Sequence, residues 1–190
     1  MTVSAAEPAR LNLDEDACLV RRFLAGDAGA FDRIYARYRD KVYVIAKGIL
    51  LDPDDAADAV QEAFALIFRN LPRFHQRSRL GTWIFRIAVN TSIQVSRKLK
   101  HKGRDVGIEA AMDRAVPEPD EATEADMKIH QALAQLKPAD RAVLALFYWE
   151  DLSLDEIGEA LSCGGNAAKT RLYRARERFR ELFESPEETP

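Results

Sequence analysis

Residues 82–90 read TWIFRIAVN and open a helical pattern near the centre of the chain. Four polar residues then recur at i, i+4, i+8 and i+11, and they are Arg86, Asn90, Gln94 and Arg97. A helix has about 3.6 residues per turn, so this spacing forms one polar stripe along a helix. Helical periods recur in the rest of the chain, whereas period-two alternation and two-residue hairpin turns are missing. The sequence therefore predicts an all-α fold.

The same stretch lies within a run of basic residues. Positions 69–104 contain ten Lys or Arg residues and no Asp or Glu. Phe74, Trp83 and Phe85 lie among these cations and offer aromatic faces for unstacked bases, while the cations hold phosphate. Residues 74–81 have no clean period and are predicted to form a basic loop that leads onto the helix. This composition is typical of a groove for nucleic acid.

Overall composition limits the possible functions. The 190 residues carry a formal net charge of -3, with 47% hydrophobic and 31% charged residues. These values are ordinary for one or two soluble domains and argue against a protein that coats DNA through its total charge. Cys18 and Cys163 have no metal-binding spacing, so we expect free thiols in a reducing compartment. Neither a membrane span nor a signal-peptide core is evident, which predicts a cytoplasmic protein without membrane insertion.

The helical patterns divide the chain into two domains. The first is predicted over residues 14–101 and the second over residues 125–184. Residues 102–124 are rich in Asp and Glu and include two prolines, which indicates an acidic flexible linker. The polar ends, residues 1–13 and 185–190, are predicted to be disordered.

One helix of the first domain is strongly acidic. Asp52 is its expected N-cap, followed by Pro53 at the first helical position and by acids in the first turn. The first half of this helix contains no Lys or Arg, and its acidic residues are Asp52, Asp54, Asp55, Asp58 and Glu62. An acidic helix next to a basic run indicates two surfaces of opposite charge and two different partners.

The second domain contains a helix-turn-helix pattern. Its four predicted helices span residues 125–136, 138–149, 154–161 and 166–183. Ser153 and Glu156 form a capping box before the third helix, and the turn SCGG separates that helix from the last one. The last helix of such a motif enters the major groove. We expect base contacts from Lys169, Thr170, Tyr173 and Arg174, phosphate contacts from Arg171, Arg176 and Arg178, and burial of Ala168, Leu172, Ala175 and Phe179.

The titratable residues form no recognisable catalytic arrangement. His75, His101 and His130 lie in separate predicted elements, and neither a Ser/His/Asp set nor a pair of catalytic carboxylates is indicated. The sequence therefore predicts no enzyme activity, no metal site and no cofactor.

Three blocks of sequence together resemble the group IV, extracytoplasmic-function (ECF) sigma factors of bacterial RNA polymerase. The blocks are residues 54–64 (DDAADAVQEAF), residues 82–90, and a segment from Glu156-Ile157 through residues 169–176 (KTRLYRAR). Their order and the acidic segment between the second and third are similar to the family, and the resemblance covers residues 17–183. The chain departs from the family pattern at residues 166–168, which read NAA where many relatives have Gly-Thr-Val.

The resemblance implies contacts with core RNA polymerase. In similar proteins the acidic helix docks on the clamp helices of the largest subunit, and the last domain contacts the flap of the beta subunit. The residues implied at the clamp are Asp54, Asp55, Asp58, Gln61, Glu62 and Phe64. The linker would thread toward the active-site cleft and the RNA exit path, and an anti-sigma factor is a usual further partner of such proteins.

The resemblance also implies two promoter contacts, one to melted and one to duplex DNA. The residues implied at the melted minus-ten element, where one base is flipped, are Phe74, Arg77, Ser78, Arg79, Trp83, Arg86, Ile87, Asn90, Gln94 and Arg97. Those implied at the duplex minus-thirty-five element are Asn166, Lys169, Thr170, Arg171, Tyr173, Arg174, Arg176 and Arg178. The implied function is initiation of transcription from the promoters of a specific regulon, by a protein that joins the nucleoid when bound to polymerase.

Two other functions fit parts of the sequence. A free-standing helix-turn-helix regulator explains residues 153–180 but gives no role to the aromatic basic loop or the acidic helix. Such a regulator binds duplex DNA unaided, whereas a sigma factor should need core polymerase, and footprinting separates the two. Residues 54–58 (DDAAD) also match the DDxxD motif with which isoprenyl diphosphate synthases hold magnesium and diphosphate, although a second aspartate-rich string is missing.

Overall fold

The computed structural model describes residues 7–75, 78–106, 123–150 and 152–184, and it describes side chains at 15–75, 78–101, 123–150 and 152–184. These residues form eight α-helices and one short 3-10 turn, Leu71–Arg73, with no strand among them. The helices are α1 (Glu7–Leu24), α2 (Ala28–Leu50), α3 (Pro53–Asn70), α4 (Leu80–Val106), α5 (Glu124–Gln135), α6 (Pro138–Tyr148), α7 (Leu154–Ala160) and α8 (Gly165–Glu184). The predicted all-α fold is confirmed.

Local side-chain chemistry sets the predicted helix starts. The Asp52 carboxylate caps α3 by accepting hydrogen bonds from the backbone N–H groups of Asp54 at 2.9 Å and Asp55 at 2.8 Å. Ser153 and Glu156 form the capping box of α7, in which each side chain accepts from the backbone N–H of the other. These caps satisfy donors that the first turn of a helix leaves without intrahelical partners.

The first unit, α1 to α4, has its core where α2, α3 and α4 pack against one another. Ile34, Ile45 and Ile49 of α2 are fully buried there, together with Ile67 of α3 and Ile84 of α4. Burying one such aliphatic side chain contributes about 1.5–3 kcal/mol. The three helices therefore hold the outward faces of α3 and α4 in fixed positions.

The first helix begins earlier than the sequence predicted. It begins at Glu7, so the predicted disorder of residues 1–13 is wrong for the segment from residue 7 onward. Pro8 lies in the first turn, where its missing N–H costs nothing.

A buried carboxylate fastens α1 to α2. Asp16 is 7% exposed and accepts hydrogen bonds from Tyr38 Oη at 2.5 Å and from Arg37 Nη1 at 2.7 Å. Burial, reinforced by the hydrogen bond to Asp16, raises the pKa of the Tyr38 hydroxyl well above its usual range. The Tyr38 hydroxyl therefore stays protonated at neutral pH. It donates a hydrogen bond to the Asp16 carboxylate, which can only accept.

The second unit, α5 to α8, has helix bounds within one residue of the predicted ones. In the first unit α4 continues to Val106, past the predicted domain end at residue 101 and into the predicted linker. Four predicted features lie wholly or partly outside the described residues: the linker at 107–122, the N-terminal segment at 1–6, the tail at 185–190, and Arg77.

The two units are in contact in this structure. Helix α2 packs against α6, and α4 packs against α7. Buried apolar residues of both units consequently belong to one continuous cluster. The sequence predicted two domains joined by a flexible linker and contained no signal for this contact.

Arg141 is a buried residue whose removal should destabilise the second unit. Its Nη1 donates to the carbonyl oxygens of Leu133 at 3.0 Å and Leu136 at 3.3 Å. These carbonyls at the C-terminal end of α5 therefore have a hydrogen-bond donor. Burial lowers the pKa of the Arg141 guanidinium to about 10, so the group remains charged at neutral pH. Arg141→Ala should lower the free energy of unfolding by about 2–3 kcal/mol, because buried carbonyls lose their donor. Urea denaturation measures this, and exposed Arg171→Ala should change the value by less than about 0.5 kcal/mol.

Candidate nucleic-acid interface and acidic surface

The outward face of α3 carries the predicted acidic residues. Asp54, Asp58 and Gln61 are exposed there, while Asp55 and Glu62 are partly exposed. The Glu62 carboxylate also lies 3.5 Å from Lys98 Nζ, so this ion pair joins the acidic face to the basic helix α4. The structure therefore brings five of the six predicted residues of this set to one exposed surface. The sixth, Phe64, is buried.

Aromatic side chains form an open groove beside the acidic face. Its lining residues include Phe31, Tyr35, Gln61, Phe64 and Phe68. Phe68 is 50% exposed and Tyr35 is 38% exposed, while Phe64 contributes one edge of its ring. The rings contact edge to face, with centroids 4.9 Å apart for Phe31 and Phe68 and 4.7 Å apart for Tyr35 and Phe64. Exposed aromatics of this kind are enriched where proteins bind proteins.

Neither Phe68 nor Tyr35 was predicted from the sequence to lie at this surface. A signal for Phe68 existed, because it follows Phe64 by four residues and therefore lies on the same side of α3. Tyr35 sits at the edge of the apolar face of α2, and its exposure depends on how far α3 covers that edge.

The basic run places its aromatic residues differently from the prediction. Trp83 is 9% exposed and Phe85 is 3% exposed. The Phe74 ring packs on Trp83 with centroids 5.1 Å apart, and the Phe85 ring meets Tyr38 at 6.1 Å. The prediction that Trp83 and Phe85 present free faces to bases is therefore wrong for this structure: Trp83 supports the loop, and Phe85 is part of the core.

The polar stripe on α4 lies at the surface, as predicted. Asn90, Gln94 and Arg97 are exposed, and Arg86 and Ile87 are partly exposed one turn earlier. Amide, guanidinium and aliphatic groups thus follow one another along a single helix face beside the loop. This arrangement offers hydrogen bonds to base edges next to positive charge for phosphate.

The loop before α4 also holds cations. Ser78 is half-buried and Arg79 is exposed, and Arg79 Nη1 donates to Glu156 of α7 at 2.8 Å. Arg79 is therefore paired with a carboxylate of the second unit in this structure. Its assignment to DNA stays a prediction.

The helix-turn-helix is closely packed at two glycines, where a side chain would not fit. A Cβ atom at Gly165 would lie 2.1 Å from Asp155 Oδ1, and one at Gly158 would lie 2.8 Å from the Cys163 carbonyl oxygen. Ser162 adopts a left-handed conformation with φ of 53°. The glycines allow α7 to pack closely on the start of α8, which fixes the direction of the longer helix.

The predicted base-reading face of α8 is exposed. Ala168, Leu172 and Ala175 are buried against the unit as predicted, whereas Phe179 is only half-buried. The opposite side is open to solvent, with Tyr173 64% exposed. All eight predicted residues on α8 are exposed: Asn166, Lys169, Thr170, Arg171, Tyr173, Arg174, Arg176 and Arg178.

Two of the predicted phosphate ligands on α8 contact α6 instead. The Arg176 guanidinium lies over the Phe147 ring at 4.6 Å from its centroid, and Arg178 Nη1 is 2.7 Å from Asp140 Oδ2. Cation–π and ion-pair contacts of this type fix the orientation of α8 within the unit. The assignment of Arg176 and Arg178 to phosphate stays a prediction, and the sequence gave no sign of these contacts.

The second unit also has an apolar groove, which the sequence did not predict. Tyr148 is 61% exposed and Trp149 is 49% exposed at its wall, which is a large exposed area for two aromatic side chains. Cationic groups of Arg176 and Arg180 lie at its rim. The remaining lining residues include Ile129, Leu133, Leu144 and Phe179.

The described part of the chain limits other site chemistries. Within it, the His, Cys, Asp and Glu side chains form no group of three or more that could hold a metal ion. None of the described helices is long and apolar enough to cross a membrane. The aspartates of residues 54–58 lie in the first two turns of α3.

Sequence comparisons match both units to one family. The model of sigma-70 region 2 matches residues 34–102, and the model of sigma-70 region 4 matches residues 126–179. RNA polymerase sigma-H factor of Pseudomonas aeruginosa is 32% identical over 179 residues, which cover 88% of this chain and 93% of that protein. The ECF RNA polymerase sigma factor SigW of Bacillus subtilis is 32% identical over 174 residues, which cover 85% and 93%.

Solved structures share the fold. CnrH in complex with the cytosolic domain of CnrY has a TM-score of 0.65 at 20% identity, covering 90% of this chain and 97% of that one. The sigma factor RpoE of Bartonella quintana, in complex with the anti-sigma factor NepR, has a TM-score of 0.62 at 21% identity, covering 81% and 96%. Because both conserved regions of the family are matched in order, the chain belongs to the sigma-70 family of RNA polymerase sigma factors, within its extracytoplasmic-function group.

Proposed function

We propose that this sigma factor binds core RNA polymerase through α3 and reads promoter DNA through α4 and α8. The observation that carries this proposal is the separation of one acidic, aromatic surface from two basic surfaces on a single chain. An acidic surface repels DNA, so this surface favours a second macromolecular partner. The protein works with polymerase in the cytoplasm and meets the nucleoid only as part of that complex.

The clamp helices of the largest polymerase subunit are the proposed partner of α3. Asp54, Asp55, Asp58, Gln61 and Glu62 supply a polar and charged rim. The neighbouring groove supplies partly exposed rings at Tyr35 and Phe68, with the edge of Phe64 at its floor. Interfaces commonly combine a few aromatic anchors with a polar rim that excludes water. The proposed contact therefore includes two residues beyond the set expected from sequence.

The stripe on α4 is the proposed reader of the minus-ten element. Opening base pairs costs a few kcal/mol per step, and a protein without ATP offsets this only by binding the opened form more tightly. Asn90 and Gln94 offer amide donors and acceptors to a captured base, beside the aliphatic Ile87. Arg86 and Arg97, with Arg77, Ser78 and Arg79 of the loop, hold the strand. Phe74 and Trp83 support this surface from behind.

Helix α8 is the proposed reader of the minus-thirty-five element. Lys169, Thr170, Tyr173 and Arg174 face the bases, and Asn166 and Arg171 hold the flanking backbone. Their common exposure on one side of a helix-turn-helix supports this assignment, because the N-terminal half of the second helix enters the major groove.

The apolar groove of the second unit is the proposed site for the flap of the beta subunit. An amphipathic helix fits such a groove, with apolar side chains against Tyr148 and Trp149. Arg176 at the rim favours a helix with an acidic residue on its flank, whereas Arg180 is paired at 2.8 Å with Glu177, which also lines the groove. An anti-sigma factor is a further proposed partner, since two solved relatives were determined with partners, one of them an anti-sigma factor by name.

Transcription by core polymerase tests the whole proposal. Core enzyme with this protein and a pool of genomic fragments should start RNA synthesis at defined sites that share two upstream elements. Core enzyme alone should not start at those sites. A protein that footprints duplex DNA tightly without core enzyme, and does not alter start sites, would instead be a free-standing helix-turn-helix regulator.

Arg174→Ala should relax preference at one position of the minus-thirty-five element. A bidentate contact from arginine to guanine contributes about 1–3 kcal/mol of discrimination. At that position, the ratio between the affinity for the preferred base and the affinity for the other bases should fall roughly 5- to 150-fold. Competition binding of holoenzyme with single-base promoter variants measures this, and uniform weakening across all variants would place Arg174 at phosphate.

A further inference from the structure

An open cavity of about 780 Å³ lies between the two units, beside the first turn of α4. One wall belongs to the first unit, and the other belongs to α7 and the turn that follows it. The first wall includes Arg73, His75, Thr82 and Arg86, and the second includes Glu159 and Ser162. Cavities of about 300–1,000 Å³ are the usual size for small-molecule sites.

Two arginines on the first wall have no anionic partner. Arg73 is exposed and Arg86 is half-buried, and neither side chain forms an ion pair or a hydrogen bond with another described residue. Arg79 differs, because Glu156 pairs with it at 2.8 Å. A half-buried guanidinium loses hydration, and a bound anion offsets that loss. Phosphate is a strong partner for such groups, since arginine can donate two parallel hydrogen bonds to it.

Thr82 is an independent sign that this wall binds a ligand. The residue is 2% exposed and lines the cavity. Its Oγ1 is buried and has no hydrogen-bond partner among the described residues, which is a costly state for a hydroxyl. Thr82 lies in the first turn of α4, where backbone N–H groups lack intrahelical partners and the helix dipole favours an anion. A phosphate group accepts from donors of exactly these two kinds.

The remaining lining residues indicate where the charged and uncharged parts of a ligand would lie. Among the described residues that line the cavity, Glu159 is the one acid, and it is exposed on the wall opposite the arginines. An anion is therefore favoured on the α4 wall. The rings of His75 and Trp83 line that wall as well, and rings of this kind stack on nucleobases.

We propose that this cavity binds a small phosphorylated anion of the nucleoside di- or triphosphate class, with its phosphates held by Arg73, Arg86 and Thr82. Arg86 also belongs to the proposed minus-ten surface. The small anion is nevertheless a different ligand from a melted strand, because part of its site comes from the helix-turn-helix and because Arg73 and Thr82 have no assigned promoter contact.

Calorimetric titration of the full chain with inorganic pyrophosphate, ADP and GDP tests the site. Pyrophosphate should bind saturably, one per chain, with a Kd below about 1 mM. The two nucleotides should bind at least as tightly as pyrophosphate, because the aromatic wall contacts the base. Inorganic sulfate has less charge and fewer acceptor oxygens, so it should bind at least about 10-fold more weakly than pyrophosphate.

Thr82→Val removes the unpaired hydroxyl at nearly the same side-chain volume. It should weaken pyrophosphate binding about 10-fold, whereas the Tm of the free protein should stay the same or rise because a buried unpaired hydroxyl destabilises the fold. Thr91→Val is the matched control. Thr91 is also 2% exposed with an unpaired Oγ1, but it does not line this cavity. The control should change the Tm in the same direction and leave binding within about 2-fold of wild type.

Arg73→Gln tests the cationic wall at an exposed residue. It should weaken pyrophosphate binding at least about 5-fold, because a charge-assisted hydrogen bond is lost. Arg33→Gln makes the same change of charge at an exposed position of α2, and it should leave binding within about 2-fold of wild type. Glu159→Gln should instead tighten binding at least about 2-fold, because it removes a like charge from the lining.

Four results would overturn the proposal. Pyrophosphate might not bind saturably, or its binding might be unchanged in both Thr82→Val and Arg73→Gln. Pyrophosphate binding without nucleotide binding would exclude the nucleotide class. Binding of a labelled single strand of about ten nucleotides, with no binding of pyrophosphate, would assign the wall to the minus-ten element alone. Failure of the proposed function is a separate result, since the transcription assay with core polymerase contains no test of this cavity.

Discussion

Asp58→Lys combined with Glu62→Lys should weaken binding to core RNA polymerase at least about 100-fold, which corresponds to about 2.7 kcal/mol. Asp58 is exposed and Glu62 is partly exposed on one side of α3, next to the aromatic groove. Like charges brought together across an interface cost several kcal/mol, and Glu62 would also lose its ion pair with Lys98. Co-purification with core enzyme and fluorescence titration measure the loss.

The control for this double substitution is Asp40→Lys with Glu184→Lys. Both residues are exposed, on α2 and at the end of α8, and the pair changes net charge by the same amount. The control should bind core enzyme within about 3-fold of wild type. Equal weakening by both double variants would mean that total charge, rather than the α3 surface, governs binding.

Asn90→Ala combined with Gln94→Ala should reduce promoter opening about 10- to 100-fold while recruitment to duplex DNA changes less than about 2-fold. The two amides are exposed on the α4 stripe, and together they are assigned to one captured base, whose contacts are worth about 1–3 kcal/mol per base. Their loss raises the free energy of the opened promoter only. Permanganate reactivity reports opening, and a mobility shift of holoenzyme reports recruitment.

Gln131→Ala with Gln135→Ala is the matched control, because it removes two exposed amides from helix α5. It should leave opening unchanged. Equal losses of opening and recruitment in the α4 variant would contradict strand capture by this stripe. Trp83→Ala is a poor substitute for this test, since Trp83 is buried and its loss would destabilise the unit by about 3–5 kcal/mol.

Most of the fold was predictable because local signals agreed with one another. The Asp52 cap and the Ser153–Glu156 capping box identify helix starts from sequence alone, and the glycine turn then fixes the helix-turn-helix. The polar stripe on α4 was predictable for the same reason, since period alone assigns Asn90 and Gln94 to one face.

The errors concern residues whose surroundings depend on the tertiary arrangement. Helical period places Phe85 on the apolar face of α4 with Ala88 and Val89, whereas the burial of Trp83 depends on Phe74 of the preceding loop packing on it. Tyr35 and Phe68 become exposed only because α2 and α3 leave a groove between them. The contact of Gly48 with Trp149 joins two distant parts of the chain and leaves no periodic trace in the sequence.

Arg174 and Arg176 are two residues apart on α8, and about 100° per residue places them on nearly opposite flanks of the helix. Arg174 is exposed, while Arg176 stacks on Phe147 and Tyr148 at the rim of the groove. One helix, roughly 10 Å across, therefore acts as a rigid spacer between the two flanks. On the proposed assignments, a partner bound in the groove would lie at a nearly constant distance from the bound DNA, so movement of either partner would carry the other with it.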